Sequence, residues 1–64
     1  MSISNLSLKL IGEDGNAFAI LGRARRALKS GGRSDLIDTF YEEATSGDYD
    51  NLLQTCMKYF DIEE

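Results

Sequence analysis

This 64-residue sequence contains no histidine, no proline and no tryptophan, and only one cysteine. Without histidine the chain lacks the commonest general base and the commonest metal ligand. A single thiolate cannot build a structural metal site, nor can Cys56 close an internal disulfide. The absence of proline fits a chain with no rigid linker. No apolar run approaches the roughly 18 residues of a membrane span. The first residues, Met-Ser-Ile-Ser-Asn, lack the basic start and long apolar stretch of a signal peptide. Together with the lone cysteine this predicts a cytoplasmic protein. Asp48-x-Asp50 opens like a calcium loop, but the glycine and the closing glutamate are not at their required offsets. No cofactor, metal or membrane partner is expected.

What the sequence does have is charge, divided unequally. Residues 1–33 carry Lys9, Arg23, Arg25, Arg26, Lys29 and Arg33 against Glu13 and Asp14, a sum of +4. Residues 34–64 carry Lys58 alone against Asp35, Asp38, Glu42, Glu43, Asp48, Asp50, Asp61, Glu63 and Glu64, a sum of −8. The two halves can neutralise each other in one fold, or offer partners two faces of opposite sign. At 42% hydrophobic and 28% charged, the composition is that of a globular domain rather than a disordered chain. One domain over residues 1–64 is expected, burying only about 60% of its unfolded surface.

Hydrophobic spacing supplies the elements. Leu6, Leu8 and Leu10 alternate with Ser7 and Lys9, which predicts a half-buried strand over about residues 5–11. Gly12 to Gly15 turns the chain, with Asp14 or Asn16 to cap a helix over 16–30. Ala17, Ile20, Leu21, Ala24, Ala27 and Leu28 share one face of that helix, with Phe18 at its margin next to Arg25. Gly22 predicts the close approach of another backbone, and Gly31 a left-handed helix end. Ser34 is placed to cap a second helix over about 35–45, with an apolar stripe of Leu36, Ile37, Phe40 and Ala44 and Tyr41 at its edge. Its outer face is acidic. Asp48 caps a third helix over about 49–59, in which Tyr49, Leu52, Leu53 and Cys56 are in register with Phe60. Asp50, Asn51, Gln54, Thr55 and Lys58 point outward. Phe60 and Ile62 flank Asp61, which suits a short C-terminal strand, and its natural partner is the first strand. The fold class is therefore α+β: a short N-terminal strand, a three-helix bundle and a short C-terminal strand pairing with the first. Cys56 reads as a small buried apolar residue.

Gly12-Glu13-Asp14-Gly15-Asn16-Ala17-Phe18 and Ser46-Gly47-Asp48-Tyr49-Asp50-Asn51-Leu52-Leu53 resemble blocks of a family of short bacterial and bacteriophage proteins with no assigned activity. The resemblance runs along nearly the whole chain and implies a cytoplasmic protein of a bacterium or mobile element. It transfers no catalytic or binding residue. Residues 10–20 are also similar to the Gly-x-x-Gly loop of KH RNA-binding domains, which implies backbone amides presented to phosphate. Here the two central positions are Glu13 and Asp14, which repel phosphate. A plain strand-to-helix turn is the favoured reading.

The candidate binding residues are Arg23, Arg25, Arg26 and Lys29. Arg23, Arg26 and Lys29 lie on one helix side at three-residue spacing, with Arg25 near Phe18. A face so composed suits an acidic protein surface or a second copy of the chain. Tyr41, Tyr49, Tyr59 and Phe18 near the borders of the apolar stripes add residue types that carry interface energy. Nucleic acid is the alternative ligand of the same cluster, since arginines one turn apart can contact phosphates. The net charge of −4 opposes it. The simplest alternative for the cluster is a solvated helix face, partly paired with Asp38, Glu42 or Glu43. A substrate cleft leaves little room for a core in 64 residues, so the expected function is binding without catalysis.

Overall fold

The computed structural model describes residues 2–9 and 16–63. The chain forms strand β1 (Leu6–Lys9), helix α1 (Ala17–Ser30), a 3₁₀ turn (Ser34–Leu36), helix α2 (Ile37–Ala44), helix α3 (Tyr49–Tyr59) and strand β2 (Phe60–Glu63). This is the expected α+β order. The two strands pair in parallel, with Leu6 opposite Phe60 and Lys9 opposite Glu63. Parallel strands need a long crossover, and here all three helices supply it. Leu8 and Phe60 turn inward, while Ser7, Lys9, Asp61 and Glu63 face out. The Gly12–Gly15 turn, Asp14 and residues 10–11 of the expected strand lie outside the described residues.

Two of the three helices start where their caps predict. Asn16 Oδ1 accepts from the backbone N–H of Ala19 at 3.1 Å, and Asp48 Oδ1 accepts from that of Asn51 at 3.0 Å. Each satisfies an otherwise orphaned first-turn donor. The second start differs. Ser34 makes no side-chain cap. It opens the 3₁₀ turn, which Arg33 fixes by donating from its guanidinium to Asp35 at 3.3 and 3.4 Å, and α2 begins only at Ile37.

The end of α1 also corrects the sequence reading. Gly32, not Gly31, takes the left-handed conformation, with φ of +76°. The backbone N–H of Arg33 then reaches the Leu28 carbonyl at 2.8 Å, and that of Gly32 reaches Lys29 at 3.3 Å. This pair of bonds satisfies carbonyls that the helix end would leave bare. Gly31 serves packing instead: a Cβ there would stand 2.5 Å from a methyl of Leu6. At Gly22 the expected close backbone approach is absent, for a Cβ at that position meets nothing within 4 Å.

The core is one cluster of Leu8, Ile20, Leu21, Ala24, Leu28, Phe40, Ala44, Leu52, Cys56, Tyr59 and Phe60. Ala17, Leu36 and Leu53, expected inside, are partly buried against it. Phe40 stands edge-on to both Tyr59 and Phe60, with ring centroids 5.3 and 5.7 Å away, the geometry that aromatic quadrupoles favour. Two residues expected nearer the surface are buried. Tyr59 is 3% exposed, its hydroxyl donating to Glu43 Oε1 at 3.1 Å. Thr55, also 3% exposed, donates its hydroxyl to its own helix at Asn51 O, 2.8 Å away, which frees its methyl to pack. Asn51 in turn donates to the carbonyl of Glu43 at 2.9 Å and ties α3 to the end of α2. Conversely, Phe18, placed at a stripe margin, is 86% exposed.

Candidate docking face on the first helix

The charged side of α1 is built by its period. Phe18, Gly22, Arg25, Arg26 and Lys29 follow at intervals of three, four and one residues, so they line one stripe opposite the buried Ile20, Leu21, Ala24 and Leu28. All five are exposed. Gly22 has no side chain to fill its place, and Arg25, Arg26 and Lys29 surround a shallow depression there of about 360 Å³. None of these three cations makes a hydrogen bond or ion pair with the described residues.

Arg23 belongs elsewhere. The sequence places it with Arg26 and Lys29, but its side chain is half-buried and Nη1 donates to the carbonyl oxygen of Lys9 at 3.1 Å. It ties α1 to the end of β1. The sequence-derived group therefore divides: Arg25, Arg26 and Lys29 stay together on the solvent side, and Arg23 is engaged by the fold.

Arg25 also lines a second recess, a cleft of about 470 Å³ shared with Ile37, Asp38, Thr39, Tyr41 and Glu42 of α2. Opposite charges thus border one opening. Neither Asp38 nor Glu42 forms an ion pair within 4.0 Å among the described residues. The ion pairs among the described residues are Arg33–Asp35 and Lys58–Glu43, and neither uses the stripe. Of the acids expected to neutralise the basic helix, Glu43 is committed to Lys58 Nζ at 2.6 Å. The Lys58 ammonium, with help from the Tyr59 hydroxyl, holds the Glu43 carboxyl below its ordinary range against the opposing effect of burial. The hydrogen bond from Arg33 does the same for Asp35.

A third recess, about 300 Å³, lies where α1 meets the start of α3, with Phe18, Leu21, Ala44, Tyr49 and Leu52 among its walls. Phe18 therefore joins an apolar edge to the basic stripe. Cys56 is fully buried and burial pushes its thiol up to about 11, which keeps it protonated and unreactive near neutrality. Among the described residues no group of three or more carboxylate or thiol side chains is placed to hold a metal ion, and no helix is long and apolar enough to cross a membrane.

One part of this face escaped the sequence reading, and another was only partly anticipated. Gly22, Arg25, Arg26 and Lys29 already show the helical spacing that makes the depression, but Gly22 reads there as a packing site. The sequence offers Asp38, Glu42 and Glu43 as acids near the cluster, but that Arg25 shares a cleft with Asp38, Tyr41 and Glu42 without pairing depends on how α2 is laid beside α1. The fold and this face define a small α+β protein with a basic, solvent-facing helix stripe. No family model, curated protein or solved structure matches the chain.

Proposed function

We propose that this chain is a non-enzymatic protein-interaction module of the cytoplasm that takes an acidic protein surface, or another copy of itself, on the basic stripe of α1. The observation that carries this reading is that Arg25, Arg26 and Lys29 stand exposed together without an acid of their own among the described residues. Cations that form no ion pair with the described acids keep part of their field for a visitor and steer its approach. Phe18, at the end of the same stripe, adds the apolar area that charge pairs lack. Arg23 serves the site by holding α1 to the end of β1.

Nucleic acid is the competing ligand of this stripe. The chain's net charge of −4 works against counterion-driven association, and of its aromatic side chains only Phe18 stands well clear of the surface, which is a meagre stacking platform.

The test is affinity capture from lysate of the host with the wild-type chain and with R25E/R26E in parallel, beside a low-salt gel shift with duplex DNA and single-stranded RNA. Proteins retained by the wild type and lost by the variant are the expected result. Equal retention by both, or a retarded nucleic-acid band that salt abolishes, overturns it.

A further inference from the structure

The cleft between α1 and α2 carries both signs of charge on a surface that is not self-neutralised. Arg25 borders it from α1, and Asp38 and Glu42 border it from α2. All three are exposed, and no ion pair joins them. The half-buried Ile37 and Tyr41, which is 39% exposed, line it with them. Exposed apolar side chains beside unpaired charges of both signs are what an association surface combines.

We infer that this cleft is occupied by the same cleft of a second copy, related by a two-fold axis, so that α1 of each protomer faces α2 of the other. The inference rests on the reading of α1 as a site for an acidic surface, and identifies that surface as the Asp38–Glu42 side of α2. Complementary patches far apart on a protomer give head-to-tail contacts that propagate into rings or filaments. Here the basic and acidic patches are neighbours, so one two-fold operation matches base with acid twice and the contact closes. Arg25 meets Asp38 and Glu42 of the partner, with Arg26 next to it in sequence adding to the positive field, and the reverse holds on the other side of the axis. Exposed charge pairs alone hold little and are screened by salt. Ile37 and Tyr41 of each copy supply the surface removed from water. The opening of about 470 Å³ admits an incoming aromatic ring. The resulting dimer is weak, salt-sensitive and fixed in register by its charges.

Sedimentation equilibrium of the full chain, from micromolar to millimolar concentration, tests this at about 0.02 M and about 0.5 M salt. The expected result is a monomer–dimer equilibrium whose dissociation constant rises at least about tenfold at the higher salt. R25E/R26E alone and D38K/E42K alone are expected to sediment as monomers, because each homodimer would set like charges together. Mixed in equal amounts they are expected to form a heterodimer, in which every reversed patch meets its complement. Circular dichroism verifies that each variant is folded. If a reversal costs the fold, D38N/E42Q must still shift the wild-type equilibrium toward monomer. A wild-type chain that stays monomeric at millimolar concentration and low salt overturns the dimer. So do single reversals that still dimerise, or a mixture without heterodimer. A monomeric wild type with R25E/R26E-sensitive capture removes the dimer alone. Capture indifferent to R25E/R26E removes the underlying reading.

Discussion

The hydroxyl of Ser4 donates to the carbonyl oxygen of Tyr59 at 2.6 Å, joining residues 55 apart in sequence. The Ser4 hydroxyl oxygen accepts from the backbone N–H of Leu6 at 3.2 Å, and the N–H of Ser4 reaches the Tyr59 carbonyl at 3.1 Å. Ser4 is 4% exposed. It seats the start of β1 on the junction of α3 and β2, and so sets the register of the parallel pair. Ser4→Ala keeps the backbone bond to Tyr59 but strands the Leu6 donor. A loss of about 1–2 kcal/mol is expected, as for removing the hydrogen bonds that a buried hydroxyl makes. Urea denaturation measures it, and an unchanged midpoint would show that the register does not depend on Ser4.

Phe40 and Leu21 differ in depth. Phe40 is fully buried between Tyr59 and Phe60, whereas Leu21 is 6% exposed and borders the open recess beside Phe18. Phe40→Ala should cost about 3–5 kcal/mol and Leu21→Ala about 2–3 kcal/mol, since a site near an opening can collapse or hydrate. In a domain this small the first loss approaches the whole of its stability. Thermal melts of the two variants rank them. A Leu21→Ala variant less stable than Phe40→Ala would contradict this packing.

The glycines make opposite predictions. Gly22 lies in mid-helix with open space around its missing Cβ, so Gly22→Ala should stabilise by about 0.5–1 kcal/mol through helix propensity. Gly32 has φ of +76°, where a side chain is strained, so Gly32→Ala should destabilise by about 1 kcal/mol. Denaturation midpoints moving in the same direction for both would refute the assigned helix end.

Stability should hold a plateau around neutrality and fall on both sides. Glu43 and Asp35 have carboxyls lowered by Lys58 and Arg33 respectively. Their contribution is present above the ordinary carboxyl range and is lost as pH falls below it. Burial pushes the Cys56 thiol from 9.0 up to about 11, and burial and Glu43 raise the Tyr59 phenol. Glu43 likewise raises the Lys58 ammonium above 10.5. Those contributions are complete below the unfolded values and are lost as pH rises through the folded ones. The decline on the alkaline side therefore begins near pH 9, led by the thiol. Denaturation midpoints across this range should show both limbs, with the acid limb shallower in Glu43→Gln and Asp35 supplying what remains. An acid limb unchanged in Glu43→Gln would mean that the Lys58 contact adds nothing.

The elements were legible because their causes are local. Asn16 and Asp48 carry cap oxygens at the right offset. The 3.6-residue recurrence of Ile20, Leu21, Ala24 and Leu28 marks the buried side of α1, and the alternation of Phe60 with Ile62 marks β2. Cys56 sits in register with Leu52 and is buried as expected. Tyr59 and Thr55 were harder, since a hydroxyl reads as surface chemistry until an acceptor is in place for it. Those acceptors are Glu43 and the Asn51 carbonyl. The site was half legible: spacing alone groups cations on α1, but not which of them the rest of the fold engages.

Sequence by itself therefore determined the order of strands and helices, the two halves of opposite charge and the apolar stripe of each helix, because periodicity and capping act within a few residues. Tertiary structure alone decided that the strands run parallel, that Gly31 lies against the methyls of Leu6, that Arg23 turns to the Lys9 carbonyl, and that Arg25 shares a cleft with Asp38 and Glu42. Those outcomes arise between segments distant along the chain, where packing and hydrogen-bond satisfaction outweigh any preference that a single segment carries.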